Sequence, residues 1–222
     1  MDKFDLAQTI DQTDLNPTKT LGAARAFFEQ AAAYHFASVA ILPLYVDLAA
    51  AVLKGTQTKV DAAIAYPLSA VPGSMKAAET ADAVQRGADE IDYVMNVGAL
   101  KSGEYGLLVE EARQVVAAAD GRVVKVIIEL WGLAENEARA ACEIACEAGV
   151  HFVKSSTGYK GHKDMRASTV DDAHLLLRLV GDRARVKIAG GITDTAFALE
   201  LLKLGVARLG TSSGVAIVDG LA

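Results

Sequence analysis

Short apolar runs and helical patterns alternate eight times along this chain, and few folds accommodate that order. Runs suited to strands fall at residues 8–13, 38–42, 59–66, 90–96, 122–130, 150–158, 185–189 and 207–211. Helical patterns follow them at 20–34, 45–54, 72–86, 102–119, 135–148, 169–180 and 193–204, with a short last helix after Ser213-Gly214. Pro43 and Pro67 end strands, whereas Gly55, Gly87, Gly149 and Gly205 close helices. Mostly continuous apolar strands of this kind belong to parallel sheets covered on both faces. Eight strand-helix units in 222 residues predict a single domain, residues 1–222, of the α/β class, folded as a closed (β/α)8 TIM barrel. An open doubly wound sheet is the weaker reading, because no GxGxxG follows the first strand.

Charge narrows the partners. The 22 basic and 28 acidic residues, with a formal charge of −6, are well mixed, leaving neither a basic stripe for nucleic acid nor a polybasic patch for a membrane. A small-molecule substrate fits better. The most apolar region, 31–53, is interrupted by His35, Ser38, Pro43 and Asp47, so no transmembrane segment is expected. Met1-Asp2-Lys3-Phe4-Asp5 has neither a basic n-region nor a following apolar stretch, and a cytoplasmic location is expected. Cys142 and Cys146 lie one turn apart in an alanine-rich helical pattern with no third ligand nearby, which reads as buried thiols rather than a metal site.

In a barrel of this kind chemistry belongs at the C-terminal ends of the strands. Three charged side chains fall in different predicted strands: Asp92 in the fourth, Lys154 in the sixth and Lys187 in the seventh. Alternation puts Lys154 on one face with Phe152 and Ser156, so its amine enters a pocket or, in the blander reading, reaches water at the strand end. Burial and a neighbouring cation both favour the neutral amine, which condenses with carbonyls to an imine. A Lys187 charge ~7 Å away at an effective dielectric of ~20 would repel an ammonium at Lys154 by roughly 2 kcal/mol, enough to free the amine toward neutral pH. Lys125 and Glu129 share a parity in the fifth strand and are expected to form a buried, structural pair.

The loops after the seventh and eighth strands carry Gly190-Gly191 and Gly210-Thr211-Ser212-Ser213-Gly214. Barrels of this type hold phosphate there, where backbone N–H groups face the anion; the alternative is that these residues only make turns and caps.

Asp89-Glu90-Ile91-Asp92, Val97-Gly98-Ala99-Leu100-Lys101-Ser102-Gly103, Lys125-Val126-Ile127-Ile128-Glu129, Phe152-Val153-Lys154-Ser155-Ser156-Thr157-Gly158 and the two glycine clusters together resemble the deoxyribose-phosphate aldolase family, over nearly the whole chain from Ile10-Asp11-Gln12-Thr13 onward. The resemblance implies a class I aldolase, needing no metal or other cofactor, that reversibly cleaves 2-deoxy-D-ribose 5-phosphate into acetaldehyde and D-glyceraldehyde 3-phosphate. It makes Lys154 the Schiff-base lysine, Lys187 the second active-site lysine and Asp92 the acid/base aspartate. Gly158, Gly190, Gly191, Gly210, Ser212 and Ser213 match the phosphate-binding segments, and a homodimer is implied. The chain departs from the pattern at Gln12, at Leu42-Pro43, at Tyr159 ahead of Lys160, and at Ile192-Thr193, where no arginine follows Gly191. Phosphate is therefore expected to rest on the glycines, the serines and the positive end of the last helix, with Lys160 or Lys163 adding a flexible charge. Two other readings stay open: a phosphosugar isomerase or epimerase with Asp92 as base, and a barrel that binds sugar phosphate without turnover.

Overall fold

Every strand of the computed structural model, which describes residues 1–159, 161 and 164–221, runs parallel to its neighbours and belongs to one closed sheet. The strands are β1 (Ile10–Asp14), β2 (Ser38–Ile41), β3 (Lys59–Ile64), β4 (Glu90–Val94), β5 (Val123–Ile127), β6 (Phe152–Lys154), β7 (Arg185–Ala189) and β8 (Arg208–Thr211). Their spatial order is their chain order, and β8 closes on β1 through Ile10 opposite Leu209 and Asp11 opposite Gly210. The predicted barrel is the observed one. Around it lie α1 (Lys3–Ala7), α2 (Leu21–Ala33), α3 (Val46–Leu53), α4 (Gly73–Gln85), α5 (Val97–Lys101), α6 (Tyr105–Ala118), α7 (Glu135–Glu147), α8 (Val170–Val180), α9 (Thr195–Lys203) and α10 (Gly214–Asp219). Two of these, α1 and α5, fall outside the sequence reading, since five residues are too few to show a helical period.

Local chemistry sets the helix starts. Thr20 accepts from the Ala23 amide ahead of α2, Thr169 and Asp172 form a reciprocal capping box on α8, and Asp194 accepts from Phe197 ahead of α9. Cys142 and Cys146 lie on α7 as free thiols, and burial pushes the Cys142 thiol up to about 12, leaving it unreactive at neutral pH.

Strand parity separates two interiors. Ile10, Val39, Ile41, Val60, Ile64, Ile91, Val124, Val126, Val153, Val186, Ile188 and Leu209 point outward and form one apolar cluster with the helices. Inward-pointing positions carry Asp11, Ser38, Asp61, Glu90, Asp92, Lys125, Lys154, Lys187 and Arg208 instead. The hydrophobic core is thus the annulus between sheet and helices, and the barrel axis is filled by charge. Barrel interiors of this class are ordinarily packed with branched apolar side chains, so a charged one has to satisfy its ions internally.

The expected Lys125–Glu129 pair does not form. Glu129 lies two residues past the end of β5 in the left-handed region (φ 52°), which takes its side chain out of the strand alternation. Its carboxylate accepts from the Thr157 amide and from Trp131 Nε1, whereas Lys125 turns inward to Asp61, Glu90 and Asp92.

Candidate active site

Lys154 ends β6 with 2% of its surface exposed, and its Nζ donates to Asp92 Oδ2 at 2.6 Å. Lys187 Nζ donates to the same oxygen at 2.7 Å and lies 2.5 Å from Asp11 Oδ2. Lys125 Nζ donates to the other oxygen, Asp92 Oδ1, at 2.8 Å. The three residues singled out for chemistry therefore meet at one carboxylate. The two ammonium nitrogens on a single oxygen also stand closer together than the sequence reading assumed.

Four further residues, Asp61, Glu90, Arg208 and Ser38, complete the arrangement. Lys125 is 2.6 Å from Asp61 and 2.7 Å from Glu90, and Arg208 reaches both oxygens of Glu90 at 2.8 Å and Asp11 at 3.0 Å. Ser38 Oγ donates to Asp11 at 2.7 Å. The carboxylates of Asp11, Asp61 and Glu90 approach closely enough to hold a cation together; the Lys125 ammonium stands among them, 3.8 Å from Asp11.

Crowding drives the barrel lysines in different directions. Burial lowers the pKa of Lys154; Asp92 opposes this and the Lys187 charge reinforces it, with a net fall. For Lys187 burial is outweighed by Asp11 and Asp92, and for Lys125 by Asp61, Asp92, Glu90 and Asp11, so both are raised and stay cationic. Burial would raise Asp92, but Lys125, Lys154 and Lys187 hold it well below the usual carboxylate range. Burial and the Asp92 charge push Asp61 up to about 7, against Lys125 and Lys187.

A cavity of about 710 Å³ opens at the C-terminal end of the barrel, and of these three lysines it is Lys154 that lines it among the described residues. Gly158, Gly190, Gly191, Gly210, Ser212 and Ser213 line the same cavity. Gly190 has φ 95°, and a Cβ there would sit 2.8 Å from Ser156 Oγ; a Cβ on Gly210 would meet Ala189 at 2.9 Å. Both positions let backbone approach a ligand where a side chain cannot fit. The Ala189 carbonyl accepts from Ser155 at 3.2 Å, Ser156 at 2.6 Å and Ser168 at 2.7 Å, which ties the loops after β6 and β7 together.

The last helix corrects one expectation. The Ser213 amide donates to Thr211 Oγ1 at 2.9 Å and the Gly214 amide to Gln12 Oε1 at 3.0 Å, so two N–H groups at its positive end are committed within the protein. Gln12, a departure from the family pattern, thus pins this loop. Ile192 is buried, and Thr211 Oγ1 donates to its carbonyl at 2.6 Å. Tyr159 meets Tyr66 edge to face at 6.5 Å on the cavity rim. Tyr66 and Thr157 also line the cavity past the observed ends of β3 and β6, and neither carries the charge by which the sequence singles out Asp92, Lys154 and Lys187. Lys160 and Lys163 lie outside the described residues.

The family model for DeoC/LacD family aldolases matches residues 6–218. The deoxyribose-phosphate aldolase of Carboxydothermus hydrogenoformans is 43% identical over 220 residues, covering 97% of this chain and 95% of that one. That of Dictyoglomus turgidum is 42% identical over 221 residues, covering 100% and 99%. Among solved structures, the tetrameric deoxyribose phosphate aldolase from Aeropyrum pernix superposes with a TM-score of 0.89 at 27% identity, covering 98% of this chain and 91% of that one.

Proposed function

The chain belongs to the DeoC/LacD aldolase family, and from that premise we propose that it cleaves 2-deoxy-D-ribose 5-phosphate reversibly into acetaldehyde and D-glyceraldehyde 3-phosphate through an imine on Lys154. One observation carries the assignment: Lys154 lines the cavity with a lowered pKa, whereas Lys125 and Lys187 are raised and lie behind it. The neutral amine adds to the aldehyde carbon of the open-chain sugar, and loss of water with uptake of one proton delivered through Asp92 leaves a protonated imine. That imine accepts the electron pair of the C2–C3 bond as the C3 hydroxyl loses its proton, giving an enamine and glyceraldehyde 3-phosphate. Protonation of the enamine and hydrolysis return acetaldehyde and Lys154. Asp92, 2.6 Å from the reacting nitrogen, serves as the proton acceptor and donor, and its basicity rises once Lys154 no longer faces it as an ammonium. Lys187 stays charged and disfavours a second charge beside it.

Phosphate binding belongs to Gly158, Gly190, Gly191, Gly210, Ser212 and Ser213 in the same proposal, supported by their shared cavity with Lys154. A homodimer and a cytoplasmic location complete it, resting on the resemblance; among the described residues no helix is long and apolar enough to cross a membrane. Incubation with deoxyribose 5-phosphate and borohydride, followed by peptide mapping, tests the chemistry, because only an imine is reduced. Label on Lys125 or Lys187 would overturn the assignment, and no label would favour an isomerase or a binding protein. Ser212→Asp tests the phosphate site: it should weaken deoxyribose 5-phosphate far more than deoxyribose, and equal losses for both would remove the phosphate from this loop.

A further inference from the structure

Eight ionisable side chains meet inside the barrel, four of each sign: Asp11, Asp61, Glu90 and Asp92 against Lys125, Lys154, Lys187 and Arg208. They come from β1 and from every strand between β3 and β8, and β2 contributes the neutral Ser38. With Lys154 as an ammonium the set is balanced. A nucleophilic Lys154 leaves four carboxylates facing three cations, and an uncompensated charge at this depth is costly. The proton that Lys154 gives up is best kept within the cluster.

The four carboxylates differ in their capacity to take it. Glu90 is held by both Arg208 bonds and by Lys125, and Asp92 by three lysines. Asp11 accepts from Arg208 and Ser38 on one oxygen, and its other oxygen lies 2.5 Å from Lys187. Asp61 engages with one oxygen alone: Oδ2 accepts from Lys125 at 2.6 Å and Lys187 at 3.2 Å, while Oδ1 is buried with no hydrogen-bond partner among the described residues. A protonated Asp61 can therefore keep both lysines on one oxygen and carry its hydrogen on the other.

We infer that Asp61 holds the proton released by Lys154, acting through Asp92 and Lys187 as a positioning residue that keeps the cluster neutral while Lys154 is a free amine. The inference rests on Lys154 being the nucleophile. A continuous path exists: Lys154 Nζ to Asp92 Oδ2 at 2.6 Å, Asp92 Oδ2 to Lys187 Nζ at 2.7 Å, and Lys187 Nζ to Asp61 Oδ2 at 3.2 Å. Lys154 passes a proton to Asp92, Lys187 passes one to Asp61, and Lys187 regains one from Asp92. An N–H bond at Lys154 is lost and an O–H bond at Asp61 is gained, with Asp92 and Lys187 unchanged and no electrons transferred. A half-turn of the carboxyl exchanges its oxygens and places the hydrogen on the free side. Asp61 is also the carboxylate of the four whose pKa is raised, to about 7, whereas Asp11, Glu90 and Asp92 are lowered.

Two measurements test this. Borohydride trapping with deoxyribose 5-phosphate, followed across pH, reports the fraction of Lys154 present as free amine. In Asp61→Asn the side chain is permanently neutral, so the trapping midpoint should move to lower pH by about one unit; an unchanged midpoint overturns the inference, since a merely structural Asp61 would alter amplitude without moving it. Infrared spectra of the unmutated enzyme carrying 13C-carboxyl aspartate should show a protonated buried carboxyl at neutral pH, and absence of that band overturns the inference even if Asp61→Asn does not fold. Trapping in the unmutated enzyme that labels a lysine other than Lys154 instead removes the assignment on which the inference rests, a result read directly from the peptide map.

Discussion

Two buried lysine–carboxylate pairs stand at similar distances in this protein and behave in opposite ways. Outside the barrel, Lys76 of α4 lies 2.8 Å from Glu111 of α6, both almost wholly buried; inside it, Lys154 lies 2.6 Å from Asp92. Burial lowers Lys76 despite Glu111 and raises Glu111 despite Lys76, so each member of the isolated pair is drawn toward its neutral form. Lys154 is lowered in the same manner, but Asp92 is driven well below the carboxylate range because Lys125 and Lys187 hold it as well. A lowered lysine is therefore common to both places. What distinguishes the barrel is a carboxylate kept ionised by other cations beside an amine that faces a cavity. Lys76 has neither; its Nζ donates to the Val94 carbonyl at 2.8 Å and joins α4 to the end of β4.

The largest separation of the two sites should come from deleting each lysine. Lys154→Leu is expected to abolish borohydride trapping and to lower kcat by at least about 10⁴-fold, since no other group replaces a covalent nucleophile. Lys76→Leu should leave trapping on Lys154 at its normal pH midpoint while costing about 3 kcal/mol of stability, the order expected when one partner of a buried pair is removed. A loss of trapping in a folded Lys76→Leu protein would erase the distinction.

A smaller effect tests how the cluster sets the nucleophile. Lys187 lowers Lys154 by repulsion, and its removal also leaves Asp11 and Asp92 less neutralised; both consequences favour the ammonium. Lys187→Leu should therefore move the acid limb of kcat/KM upward by about one pH unit and reduce turnover by about 10²-fold. A normal rate with an unmoved limb would take Lys187 out of the mechanism.

The two sites should also part company in the pH dependence of stability. Asp11, Glu90 and Asp92 have pKa values below their ordinary range, so the stability they contribute is complete above about pH 5 and is lost as the pH falls through that range toward their folded values. Lys125 and Lys187 are raised, so their contribution is complete below the ordinary lysine range and is lost only in strong alkali. Glu111 and Asp61 are raised and run the other way, stabilising as acid protonates them. Urea unfolding between pH 3 and 7 should accordingly show an acid loss that Asp11→Asn flattens by about 1 kcal/mol and Glu111→Gln does not. An equal flattening by both would place the acid sensitivity outside the barrel.

How much of this was legible in the sequence follows from which rule each residue obeys. Lys154, Lys187 and Asp92 stand inside strands, where a period of two fixes the face, and a charge on the barrel face of a parallel strand is conspicuous. Asp11, Asp61, Glu90 and Arg208 obey the same parity and were within reach of the same reasoning; joining them requires knowing that β8 closes on β1, which brings residues about 200 apart in the chain into contact. Glu129 was misread because a left-handed residue ends the alternation, and no residue type in Ile128-Glu129-Leu130 announces that turn. The committed amide at Gly214 depends on Gln12 arriving from β1, a contact made by the closed barrel rather than by either segment, whereas that at Ser213 is taken by Thr211 two residues before it.

The smallest expected effect is the sharpest on the comparison itself. If the Lys76–Glu111 pair only joins α4 to α6, an apolar pair of similar volume should replace it, because the charges lose in desolvation much of what they gain from each other. Lys76→Met combined with Glu111→Met removes both ions together and leaves neither uncompensated. Two bonds from the pair do go unreplaced: Lys76 Nζ to the Val94 carbonyl at 2.8 Å and the Asn96 amide to Glu111 Oε1 at 3.1 Å. Each is worth about 1 kcal/mol, against a gain of about 1–4 kcal/mol when a buried ion pair gives way to apolar side chains of similar volume, so the net change should lie between a loss of about 1 kcal/mol and a gain of about 2 kcal/mol. The double variant should keep the Lys154 trapping midpoint and its full amplitude. The corresponding exchange inside the barrel cannot be neutral, since removing Asp92 with Lys154 leaves Lys125 and Lys187 each short of an anion. A double variant outside the barrel that shifts the trapping midpoint would mean that the end of β4 transmits the state of Lys76 to Asp92, and the two pairs would then be one system.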